Sequence, residues 1–90
     1  MDYKTFFRER LTVLDNLTKL YLDLWKKTEM EPLDVGNKIK KCRNLLDKMV
    51  GMSPLESKKQ IKNMLKFDNK LVNLFSEINV CLKNSLQKNN

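Results

Sequence analysis

Five apolar residues, Val35, Ile39, Cys42, Leu46 and Met49, recur at alternating steps of four and three. At about 100° per residue this spacing holds all five on one narrow stripe of a helix, whereas a strand would scatter them over both faces. Leu45 and Val50 broaden the stripe. A second line runs Ile61, Met64, Leu71, Phe75, Ile78, Leu82, with Leu65, Val72, Leu74 and Leu86 alongside, and only Asp68 breaks its repeat. Nearer the N-terminus two lines run side by side: Phe6, Val13, Leu17, Leu20, Leu24 and Phe7, Leu11, Leu14, Tyr21, Trp25. Together they cover more than half of a helix circumference, so this helix must touch at least two others.

Breaks in the pattern are few, with two glycines and two prolines in ninety residues. The chain reads as all-α, a single helical domain over residues 1–90 with helix 1 at about 2–27, a linker at 28–34, helix 2 at about 35–50 and helix 3 at about 54–86. Pro32 disfavours helix at Glu31, and either Glu31 or Asp34 can cap helix 2. The stretch KMVGMSPLESKK, Lys48 to Lys59, forms the second corner. Gly51 suits a left-handed C-cap. Ser53, Pro54 and Glu56 fit an N-cap, a first-turn proline and the reciprocal glutamate of a capping box. So short a connection folds helix 2 back antiparallel to the start of helix 3.

Lengths carry this towards function. Helix 3 would be roughly 50 Å long and helix 2 about half of that. The distal half of helix 3 is thus left without cover by helix 2, although it is the more apolar half. Leu71, Val72, Leu74, Phe75, Ile78 and Leu82 are therefore the candidate partner-binding seam, each worth about 1.5–3 kcal/mol when buried. Helix 1 covers them if it continues in line with helix 2, giving a long antiparallel helical hairpin with coiled-coil-like seams. The alternative is a compact three-helix bundle with helix 1 folded back, which sets Leu20 and Leu24 beside Ile61 to Leu65.

The formal net charge is +7, and after Gly51 seven lysines face three acids. Lys58, Lys62, Lys66 and Lys70 succeed one another at i, i+4 spacing as a basic ridge away from the seam, where like charges slightly destabilise an isolated helix. A solvated face and a surface for an acidic partner both fit. Without arginine or interleaved aromatics the ridge argues against base-specific nucleic-acid readout and leaves only salt-sensitive phosphate contact. The chain has no histidine, and its two cysteines, Cys42 and Cys81, stand apart, so neither an imidazole base nor a zinc site is expected. Both cysteines read as reduced packing residues of an intracellular protein. No signal peptide, membrane span, cofactor or metal is expected, and the chain reads as a non-enzyme. Tyr21 and Trp25 lie on the continuous stripe and read as core.

The span from NKIKKCRNLLDKMVGM through SPLESKKQIKNMLKFDNKLVNLFSEINVCL resembles the C-terminal helical region of the Mediator complex subunit 9 family. The residues that carry the likeness are the leucine-methionine end of the first helix, Gly51 followed by Met52, the serine-proline restart at Ser53 and Pro54, and the long helix ending near Cys81. LTVLDNLTKLYLDLW is compatible with that family's preceding helix. The resemblance implies a nuclear, non-enzymatic scaffold of the Mediator middle module, acting in transcription regulation and pairing along its long helix with Mediator subunit 4. A coiled-coil subunit of a kinetochore or tethering complex would use the same seam, and a basic helical nucleic-acid-binding module is the alternative of a different class.

Overall fold

A computed structural model describes residues 3–52 and 57–88, and among these every regular element is helical. The helices are α1 (Tyr3–Thr28), α2 (Leu33–Gly51) and α3 (Lys58–Lys88). Local chemistry sets their ends. At the close of α1, Lys26 and Lys27 face the negative end of the helix dipole, and Glu29 takes a left-handed φ of 58° while its N–H reaches the Trp25 carbonyl at 2.9 Å. Pro32 then starts α2, where its missing N–H costs nothing. Neither Glu31 nor Asp34 supplies a side-chain cap there, contrary to expectation. Glu31 instead accepts a 2.8 Å hydrogen bond from the Tyr21 hydroxyl.

The second corner also departs from the sequence reading. No glycine has a positive φ: α2 runs through Gly51, and the Met52 N–H closes the last turn on Met49. Residues Ser53, Pro54 and Glu56, expected to form the cap, lie outside the described residues. A reciprocal capping box is present one turn later, where the Ser57 hydroxyl accepts from the Gln60 N–H at 3.2 Å and the Gln60 side chain accepts from the Ser57 N–H at 3.1 Å. Among the described residues α3 runs Lys58–Lys88.

The three helices form a compact up-down-up bundle. Tyr21 of α1 approaches Gly36 of α2, while Leu14 and Asp15 share a hollow with Arg43 and Asp47, so residue numbers rise along α1 as they fall along α2. Lys38 and Glu77 pair across α2 and α3, and the hollow between those helices sets Lys48 near Lys70, again antiparallel. Hence α1 runs parallel to α3. The extended hairpin is thereby corrected. Helices of 26 and 19 residues laid end to end would exceed about 65 Å, and the molecule measures 50 × 18 × 17 Å.

Register corrects two further expectations. Arg10 meets Asp68, so fourteen residues further along each parallel helix Leu24 stands level with Leu82, not with Ile61 to Leu65. Across the second seam α2 lies against the distal half of α3 and not against its beginning, as the Lys38–Glu77 pair and the shared hollow of Lys48 and Lys70 show. Leu71, Phe75, Ile78 and Leu82 are buried with Val35, Ile39, Cys42, Leu46 and Met49 of α2 and with Leu14, Leu17, Tyr21 and Leu24 of α1. Tyr3, Phe6 and Phe7, half-buried against this core, stand level with the first turns of α3. The core line of α1 therefore draws on both sequence lines, running Phe7, Arg10, Leu14, Leu17, Tyr21, Leu24 at steps of three and four.

Candidate functional site

Two of the seam positions are charged, and they meet. Arg10 donates from Nε to one Asp68 carboxylate oxygen at 2.7 Å and from a terminal nitrogen to the other at 3.0 Å, the bidentate geometry that suits guanidinium and carboxylate. Asp68 is buried, with 9% of its side chain exposed, whereas 26% of the Arg10 side chain reaches solvent. The guanidinium also lies 4.6 Å over the Phe6 ring. The hydrogen bond to Asp68 raises the Arg10 pKa further above its ordinary value. This pair is a polar layer inside an apolar bundle, and polar layers of this kind fix register between helices. Sequence reasoning flagged Asp68 as an interruption but missed Arg10. The signal available was that Arg10 continues the spacing of Leu14, Leu17, Tyr21 and Leu24.

Of the six residues expected to await a partner, Leu71, Phe75, Ile78 and Leu82 belong to the chain's own core, because α1 and α2 together cover them. Leu74 is half-buried beside α2, and only Val72 is exposed. Tyr21 is core as expected, its phenol held above its ordinary pKa by burial and by Glu31. Trp25 is not core: it packs edge-on against Tyr21 with ring centroids 5.9 Å apart and stays exposed.

A different apolar surface emerges from the register. Leu11 and Thr18 line hollows shared with α2, so the opposite flank of the α1 core line, Val13 and Leu20, faces α3. On α3, Leu74 lines the hollow with α2, so its opposite flank, Leu65 and Val72, faces α1. The offset set by Arg10 and Asp68 brings Val13 level with residue 71, beside Val72. Val13, Leu20, Leu65 and Val72 are 39, 48, 42 and 40% exposed. They form an apolar stripe along the outside of the α1–α3 seam.

The four lysines of the expected ridge are all exposed. Steps of four residues advance about 40° each, so the four wind gradually around α3, and Lys66 and Lys70 line hollows on the α2 side. Cys42 and Cys81 are free; Cys42 is fully buried, and its thiol is pushed up to about 11, by burial first and Glu77 second. Among the described residues no group of histidine, cysteine or acidic side chains is placed to hold a metal ion, and no helix is long and apolar enough to cross a membrane. No protein-family model, curated protein or solved structure matches the chain.

Proposed function

We propose that this protein is a non-enzymatic helical subunit that joins a larger assembly by taking a partner's helix into the α1–α3 seam. One observation carries the reading. The seam's rim is apolar on both helices and in register, with Val13 and Val72 level and Leu20 and Leu65 extending the stripe either way, although the core beneath is already complete. A fourth helix laid there would bury those side chains in four-helix-bundle fashion. The resemblance to the Mediator subunit 9 family supports a nuclear scaffold whose partner is Mediator subunit 4.

The test is affinity capture of the tagged protein beside a Leu20→Asp/Val72→Asp variant, after circular dichroism has verified that both are equally helical. The reading expects a stoichiometric helical protein to be retained by the native chain and lost by the variant, because charges on an apolar rim lose burial and add a desolvation cost. Retention of the same protein by both would refute it.

A further inference from the structure

Along the α2–α3 seam the surface opens into two adjoining hollows. One, of about 490 Å³, is lined among others by Lys41, Leu45 and Lys48 of α2 and by Lys70, Leu74 and Glu77 of α3. The next, of about 570 Å³, is lined by Met52, Lys66, Phe67 and Lys70 among others. Lys70 belongs to both, so they form one groove. Its floor is apolar, since Leu45, Met52, Phe67 and Leu74 are half-buried hydrophobic residues packed on the core. Its walls carry lysine on both helices.

Among the described residues the charges of this groove are not balanced. The one carboxylate among its described lining residues, Glu77, already lies 3.6 Å from the Lys38 ammonium. Among the described residues Lys41, Lys48 and Lys66 form no ion pair, and Lys70 only lies 5.9 Å from the Phe67 ring centroid. Four ammonium groups along facing walls repel one another, and an anionic occupant relieves them.

We propose that this groove binds an acidic amphipathic helix, with its apolar side on Leu45, Phe67 and Leu74 and its carboxylates between Lys41, Lys48, Lys66 and Lys70. Dimensions agree. The α3 wall runs from Asn63 to Glu77, which at 1.5 Å per residue is about 21 Å, the length of a four-turn helix. The apolar floor favours a peptide over nucleic acid, because a phosphate backbone would engage the lysines and leave the floor unburied. The groove lies on the opposite flank of α3 from Leu65 and Val72, so its occupancy is independent of the α1–α3 seam.

Fluorescence anisotropy of the full chain with a labelled synthetic peptide of about 16 residues tests this, the peptide carrying leucines at heptad seam spacing and glutamates beside them. Two competitors run in parallel, the same peptide with glutamine in place of glutamate and single-stranded oligothymidine. The glutamate peptide is expected to bind at low salt. Lys41→Glu with Lys70→Glu should weaken it by about tenfold or more, and Leu74→Asn should weaken it too, with helicity unchanged. Equal binding of the glutamine peptide overturns the charge complementarity. Oligothymidine binding as tightly and without dependence on Leu74 gives the groove to nucleic acid and overturns the proposal, as does failure of the glutamate peptide to bind.

Discussion

Replacing Arg10 by methionine removes the guanidinium but keeps most of the side chain's volume, so the change reads the charge and not the packing. It leaves the Asp68 carboxylate, 9% exposed, facing Leu71 and Met64 on its own helix without a counter-ion. Loss of one partner from a buried pair costs about 3–5 kcal/mol. Arg10 is partly in water, which lowers the expectation to about 2–4 kcal/mol. The converse change, Asp68→Leu, leaves an arginine that is 26% exposed and already rests on Phe6, and its head can swing into solvent. That variant should lose about 1 kcal/mol or less. In the double variant methionine faces leucine in an apolar layer, and its stability should return to within about 1 kcal/mol of native or exceed it. A domain of this size has about 5–13 kcal/mol to lose, so the Arg10 variant should melt roughly 10–20 °C lower. Urea denaturation at pH 7, monitored by circular dichroism at about 222 nm, reads all four proteins. Equal losses in the two single variants, or a double variant less stable than Arg10→Met, would refute the assignment of a buried carboxylate held by a snorkelling arginine.

Local geometry sets three further outcomes. A Cβ at Gly36 would stand 2.9 Å from the Tyr21 hydroxyl, so Gly36→Ala should give no gain in the native chain but about 1 kcal/mol of helix propensity in a Tyr21→Phe background, read by thermal melting. Ser57→Ala removes one half of the Ser57–Gln60 box and should cost about 0.5–2 kcal/mol in the same assay. The Cys42 thiol ionises near 11 in the fold against an ordinary 9, so its contribution is complete below pH 9 and is lost as pH rises to about 11. Cys42→Val should reduce the stability lost between those pH values by about 2 kcal/mol, and in the native chain a thiol reagent should modify half-buried Cys81 well before Cys42.

How much of this was legible in the sequence depended on whether one pattern dominated each segment. On α2 the repeat from Val35 to Met49 had no rival, and each of those residues is core. On α1 hydrophobic residues occupy both flanks of the true seam, and the seam itself carries Arg10, so periodicity drew two lines where the bundle has one. A charged seam residue breaks a hydrophobic pattern whether or not it has a partner, and its partner lies fifty-eight positions away. The second corner offered two consecutive serine-x-x-acceptor spacings, Ser53 to Glu56 and Ser57 to Gln60. Pro54 drew attention to the first, the box observed among the described residues is the second, and the register of α3 against α2 is shifted from the one expected. That shift turned an apparently uncovered seam into the protein's own core. The α1–α3 stripe was not legible, since Val13 and Val72 share a face only once α1 is known to fold back parallel to α3.

A photo-reactive amino acid placed singly at position 20, 72 or 19 tests the central claim most directly, with irradiation in cells and then identification of the adducts. Leu20 and Val72 lie on the two rims of the stripe, while Lys19 is exposed on the outer side of α1. Positions 20 and 72 are expected to cross-link the same helical partner, and position 19 is not. Adducts to that partner from position 19 alone, or equally from all three, would contradict a partner helix seated in the α1–α3 seam.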